Sequence, residues 1–259
     1  MAARMILAAL AGLVIGSFLT VVVHRVPRRE SVVAPRSRCP RCGAAVRARD
    51  NLPVISWLLL RGRCRSCGSR ISPAYPLTEL ATAGLFVAAV VVFEPLFVAA
   101  LMAPFLALML AVALIDARWR IVPNRLVYPA MAAFGVAIVV GDLTRAGVEA
   151  SSALIGMALY GVPLLATALV VPGGMGMGDV KLAALIGLVL GSLGLAYVAV
   201  AAGTGVVAGG LGALAAMVFL RYGRRQQIPF GPFMAGGAVV AALATTPITS
   251  LYLSLAGLG

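Results

Sequence analysis

The sequence predicts an all-α fold: a polytopic membrane bundle of about eight transmembrane helices with a small cytosolic, zinc-ribbon-like insert. Three observations predict it. The 259 residues are 62% hydrophobic and only 11% charged, against roughly 45–50% and about 25% in soluble domains. Eight long apolar runs recur along the chain. Four cysteines form two Cys-x-x-Cys pairs within the one long polar stretch.

A run of about 17–25 apolar residues is long enough to cross a bilayer as a helix. The expected spans are residues 5–23, 77–93, 96–115, 126–140, 152–171, 180–194, 196–220 and 232–257. The fourth and sixth are short. The sixth and seventh are divided only by Gly191-Ser192-Leu193-Gly194, a poor loop. The first run lacks a small-residue cleavage site before a polar region, so it reads as a retained anchor rather than a signal peptide.

The net charge of +13 raises the question of nucleic acid, and its placement answers it. Twelve of the 21 basic residues lie between Arg25 and Arg70, and the others mostly flank apolar runs. This is juxtamembrane charge, which points to membrane lipid and not to a nucleic-acid partner. With the N-terminus outside, the inside segments 24–76, 116–125, 172–181 and 221–231 hold 19 of the 21 basic residues. The positive-inside rule therefore sets the orientation. An Ala, Gly and Arg bias suggests a bacterial source, and the expected location is the bacterial inner membrane.

Residues 24–76 contain Cys39-Pro40-Arg41-Cys42 and Cys64-Arg65-Ser66-Cys67. Disulfides do not persist in a reducing cytosol. Two such knuckles are the usual donor set of a four-thiolate zinc site. Gly43 and Gly68 follow the knuckles, where a tight turn is needed. The expected metal ligands are Cys39, Cys42, Cys64 and Cys67, and the site is structural, since four thiolates leave no open position. The apolar stretch Asn51 to Leu60 is too short to span, and is expected on the membrane surface or against the bundle.

Two acids stand at matching depth. Asp116 ends the third expected span, followed by Arg118, Trp119 and Arg120. Asp179 follows the run Gly173-Gly174-Met175-Gly176-Met177-Gly178 and opens the sixth. An ionisable group in a span is expensive and marks a functional site. Alone, Asp116 reads as an interfacial acid paired with a nearby arginine, and Asp179 as a helix N-cap. Neither reading explains the glycines. Two carboxylates sharing a site can hydrolyse a peptide bond: one takes a proton from water while the other donates to the carbonyl oxygen. The helix dipole favours the anion at an N-terminus and disfavours it at a C-terminus, which places the shared proton on Asp116. Gly176 and Gly178 form the expected active-site loop. Glu79 and Lys181 are candidate lining residues, each with a plainer alternative: a first-turn helix acid and a snorkelling cation.

These residues resemble the bacterial type IV prepilin leader peptidases that are also N-methyltransferases. Gly16 to Pro27 resembles the family's opening motif, with Thr20 where Asn is usual. The knuckles, Asp50 to Gly62 and Pro76-Leu77-Thr78-Glu79-Leu80 resemble its cytosolic insert and following helix. Ala113-Leu114-Ile115-Asp116 and Gly176-Met177-Gly178-Asp179 resemble the two aspartate motifs, the second being GxGD. Ile228 to Phe233 resembles a late motif. Many relatives carry another acid two residues after the first aspartate, where Arg118 stands here. The resemblance implies residues 1–23 as a first transmembrane helix, 24–76 as the zinc insert and 77–259 as an intramembrane aspartyl peptidase domain. It implies catalytic Asp116 and Asp179, prepilin or pseudopilin substrates cut at a basic leader, and methylation of the new N-terminus by S-adenosylmethionine. The competing reading is a transporter or channel with Asp116 and Asp179 as a proton or cation relay. Transporters often show paired internal repeats, and none is evident.

Overall fold

A computed structural model describes residues 1–171, 175–219 and 229–255, with side chains described as far as Thr245. Gly173, Gly174, Ile228 and the end of the last expected span lie outside the described residues. Among the described residues the chain is helical, with no strand beyond two isolated bridges. In order the helices are α1 (Ala2–Arg25), α2 (Ile55–Leu59), α3 (Ala74–Val92), α4 (Leu96–Trp119), α5 (Asn124–Leu143), α6 (Ala150–Val170), α7 (Met177–Gly191), α8 (Leu195–Phe219) and α9 (Gly231–Leu255).

Eight of these fall on the eight expected spans. Among the described residues six are long and apolar enough to cross a membrane, which makes this a multi-pass chain. Helix α7 has only 15 residues. The doubtful boundary between α7 and α8 is real, with Gly194 turning the chain at φ +135°. Helix α5 starts at Asn124, just after Pro123, and so extends beyond its apolar stretch.

The chain divides into two compact units, Met1–Val91 and Val92–Gly259. In the first, α1 packs on α3 through glycine. A Cβ on Gly12 would sit 2.6 Å from Ala83 Cα, and one on Gly16 would sit 2.7 Å from Glu79 Cα. In lipid, such small-residue contacts bring backbones close enough for dispersion to hold them.

The insert is built from two knuckles of matching geometry. The Cys39 N–H bonds Ala44 O while Gly43 N–H bonds Cys39 O; the Cys64 N–H bonds Ser69 O while Gly68 N–H bonds Cys64 O. Gly43 and Gly68 hold φ +71° and +68° with no heavy atom within 4 Å of a built Cβ, so it is the left-handed turn that calls for glycine. Asp50 forms an ion pair with Arg65 at 2.7 Å. Trp57 Nε1 donates to Ile71 O at 3.2 Å.

In the second unit α4 is the central helix. Buried residues make up 67% of its most apolar window, and no other candidate span exceeds 33%. Helix α7 is buried from Leu185 to Gly191. It lies backbone-to-backbone on α6, where a Cβ on Gly156 would sit 2.5 Å from Gly187 O. Helices α8 and α9 meet in the same way: a Cβ on Gly237 would be 2.6 Å from Ala201 O. Helix α9 packs on both α4 and α7, so the three come together at one end.

Candidate active site

That end holds both acids. Asp116 sits in the last turn of α4, 5% exposed. The helix stops just beyond it, with Arg120 in the left-handed region at φ 54° and its N–H bonded to Asp116 O. Arg118 lies over the Trp119 ring, 5.7 Å from its centroid. Among the described residues no ion pair joins an arginine to Asp116. The carboxylate's partner is instead the first residue of α9: Gly231 N–H donates to Asp116 Oδ2 at 3.0 Å. The first N–H groups of a helix have no intrahelical acceptor and suit an anion. A Cβ on Gly231 would meet Oδ2 at 2.7 Å, so glycine is what permits the approach.

Asp179 is not the N-cap of α7. The cap is Gly176, and Asp179 is the third helical residue. Its carboxylate turns back toward the cap, with Oδ2 3.6 Å from the place a Gly176 Cβ would occupy. Gly178 has a different neighbour: its built Cβ lies 3.1 Å from Val122 Cβ, on the connection between α4 and α5. The two carboxyls lie within electrostatic reach of one another. The structure thus brings together the end of α4 and the starts of α7 and α9.

The lining candidates are engaged elsewhere. Lys181 Nζ bonds Asn124 Oδ1 and sits 5.4 Å from the centroid of the Tyr128 ring, so its cation is held by α5. Glu79 is 7% exposed, and its Oε2 accepts Val54 N–H at 2.7 Å. Val54 has φ 60° and ψ −50°, with Ile55 N–H bonded to Pro53 O. That is a γ-turn, a strained conformation for a β-branched residue, and Glu79 secures it.

The four Cys Sγ atoms all lie within 4.8 Å of one another. Four thiolates roughly 2.3 Å from a tetrahedral metal would be about 3.8 Å apart, and Cys39 and Cys67 Sγ are 3.8 Å apart. The donor set therefore fits a metal. The Cys39 thiol is lowered to about 6 by the Cys42 backbone N–H and by Ser69. At Cys42 the Ala44 N–H acts in the same direction, but the surrounding thiols and desolvation outweigh it and raise the group to about 11.

Three residues had no signal as site components in the sequence: Gly231 as a partner of Asp116, Asn124 as a partner of Lys181, and Tyr160. Gly231 lies in the late motif, but nothing in the sequence links that motif to Asp116. Tyr160 is 4% exposed in the middle of α6, and in sequence it is one aromatic among apolar residues.

Comparison with known proteins shows the family. The family described as the type IV leader peptidase family matches residues 103–259, and the bacterial peptidase A24 N-terminal domain matches residues 10–93. The chain belongs to the type IV leader peptidase family. A Bacillus subtilis relative, named prepilin leader peptidase/N-methyltransferase, is 36% identical over 95% of this chain and 96% of its own length. Relatives of the same name from Burkholderia pseudomallei and Pseudomonas aeruginosa are 34% and 33% identical. They cover 95% and 96% of this chain, and 86% and 93% of their own lengths. No solved structure matches the chain. Within this leader peptidase, Asp116 and Asp179 both fall in the region matched to the peptidase family.

Proposed function

We propose that this protein is a membrane-embedded aspartyl endopeptidase that removes the basic leader from prepilins or pseudopilins and methylates the new N-terminal residue. The observation that carries the reading is the meeting of Asp116 and Asp179 at three helix ends in a chain that matches named prepilin leader peptidases along their length. Like charges in close proximity disfavour double ionisation, so one proton is shared. The ionised carboxylate takes a proton from a water as its oxygen attacks the peptide carbonyl. The protonated partner gives its proton to the carbonyl oxygen. The tetrahedral species then collapses: the C–N bond breaks as the leaving amine takes the proton drawn from water, and a hydroxyl of the gem-diol returns its proton to the other carboxyl, which restores the singly protonated pair.

The chain's own residues hold this arrangement. Gly231 N–H fixes Asp116 Oδ2, Gly176 keeps a side chain away from the Asp179 carboxylate, and Gly178 lets the start of α7 approach Val122. Glu79 and Lys181 take no reacting role; they brace the insert and the start of α7. Cys39, Cys42, Cys64 and Cys67 would hold a structural Zn2+, which folds a small insert that cannot bury enough core alone. S-adenosylmethionine is the expected methyl donor, on the strength of the relatives' name. The concentration of basic residues between the spans supports a reading in which the insert and both aspartates face the cytosol of a bacterial inner membrane.

The test is cleavage of a full-length prepilin by the purified protein in liposomes, with mass spectrometry of the mature product. A single cut between leader and mature chain, followed by addition of one methyl group in the presence of S-adenosylmethionine, is expected. A preparation that folds, binds zinc and leaves prepilin intact contradicts the reading.

A further inference from the structure

The Tyr160 hydroxyl is a buried polar group with no hydrogen-bond partner among the described residues. Such groups are rare, because leaving a buried donor unpaired costs free energy that folding would otherwise recover. The hydroxyl of this α6 residue sits beside α8, where α9 also approaches. A Cβ on Gly205 of α8 would be 3.6 Å from it, and it lies within electrostatic reach of Asp179 without bonding it. The absence of a side chain at Gly205 leaves a methyl-sized gap beside the hydroxyl, bounded by Met234 Cα and Phe233 O of α9 at 3.5 Å. Its depth follows from the packing of α6 on α7. Gly161, the next residue, packs on Ala184, with a built Cβ 3.2 Å from Ala184 Cβ. Ala184 is five residues beyond Asp179, which at 1.5 Å per residue is about 7.5 Å further along α7 from the end that holds the carboxylates.

A substrate that enters this bundle brings a matching need. In lipid every backbone carbonyl must be satisfied. A membrane helix meets that demand internally, but a helical peptide bond is closed to attack and must be unwound before it is cut. Unwinding releases carbonyls on the membrane side of the scissile bond, where water is scarce. An unpaired donor at that depth is the complement of such a carbonyl.

We propose that the Tyr160 hydroxyl donates a hydrogen bond to a substrate backbone carbonyl on the mature side of the scissile bond and holds the unwound segment in reach of Asp116 and Asp179. This rests on the peptidase reading above. Tyr160 is then a substrate-binding residue, and the substrate supplies the partner that the described residues do not.

The test uses the full-length protein in liposomes, with Tyr160→Phe and a set of semisynthetic prepilins. In each prepilin one of the first amide bonds after the cleavage site is replaced by an ester, whose carbonyl is a weaker acceptor. Tyr160→Phe is expected to melt at or above the wild-type temperature, since it removes an unpaired polar group. Its kcat/KM on natural prepilin is expected to fall about tenfold or more, the scale of one lost hydrogen bond in a dry site. One ester is expected to slow the wild type by a similar factor and to leave Tyr160→Phe unaffected, because the two changes remove the same bond. A Tyr160→Phe enzyme within about threefold of wild type overturns the proposal. So does a series in which every ester slows both enzymes equally, as it would if the hydroxyl bonded only a structural water. Either result leaves the peptidase reading intact, whereas a wild type that cuts no prepilin overturns both.

Discussion

The backbone N–H of Gly231 donates to Asp116 Oδ2 at 3.0 Å, across 115 residues of chain. This bond ties the first turn of α9 to the last turn of α4 and sets the direction in which one of the two carboxyls points. Neither residue has room for a change. A methyl group on Gly231 would lie 2.7 Å from the carboxylate oxygen and 3.1 Å from Asp116 Cβ.

Gly231→Ala is therefore expected to displace the Asp116 carboxyl and lower prepilin cleavage about a hundredfold, the scale of a misplacement of about 1 Å at a reacting group. The rest of α9 should still fold, so the melting temperature should change little. Cleavage near the wild-type rate would show that Asp116 does not depend on this contact.

The seam between α6 and α7 carries the start of α7, and with it Asp179. Gly187→Val would push a branched side chain into the backbone of Gly156 and Met157. A loss of about 3 kcal/mol in unfolding free energy, measured in detergent by denaturant titration, is expected. Gly203 on α8 has nothing within 4 Å of a built Cβ, so Gly203→Ala should be neutral or stabilise by up to about 1 kcal/mol. Equal effects at the two glycines would mean that the seam is not close-packed.

Metal analysis should find one zinc per chain, and Cys39→Ser or Cys64→Ser should abolish it. Because binding and folding of such a site are one event, chelation should unfold the insert, as read by proteolysis between Arg25 and Arg70. Methylation should be impaired more than cleavage, since both aspartates lie in the other unit. Equal loss of the two activities would contradict that separation.

Asp50 gives a pH dependence of definite sign. The Arg65 guanidinium hydrogen-bonds its carboxylate and, with nearby Arg49 and Arg47, holds it below the usual carboxylate value. A depressed folded value contributes stability that is fully present above the unfolded value of about 3.9 and is lost as pH falls through the folded one. The gap in melting temperature between wild type and Asp50→Asn should therefore be flat from pH 5 to 8. The Arg65 side chain is 45% exposed, so the gap should narrow in 1 M salt. A gap that opens or closes between pH 5 and 8 would rule out Asp50 as its source.

Most of the architecture is legible in the sequence because lipid imposes a simple rule: long apolar runs become helices. Hence even α7, with 15 residues, and the Gly191–Gly194 turn fall where the hydropathy puts them. The cysteine cluster is equally legible, since ligand type and spacing leave few other arrangements. Partners that are remote in sequence are not. Glu79 reads as a first-turn acid, and only the folded insert presents Val54 N–H to it. Lys181 reads as a snorkelling cation, and the structure gives it Asn124 and Tyr128. Asp179 reads as a cap, but Gly176 takes that position two residues before Gly178. Tyr160 carries no signal at all, because its burial without a hydrogen-bond partner among the described residues appears only in the folded chain.

The pairing of Asp116 and Asp179 is decided by prepilin cleavage in liposomes with Asp116→Asn and Asp179→Asn, each checked for wild-type melting and zinc content. Asparagine keeps the size of the side chain and removes its ability to exchange the proton. Both variants are expected to fold, bind zinc and cut nothing measurable. A folded variant of either that cuts at the wild-type rate would break the pair and leave the hydrolysis without its second carboxyl.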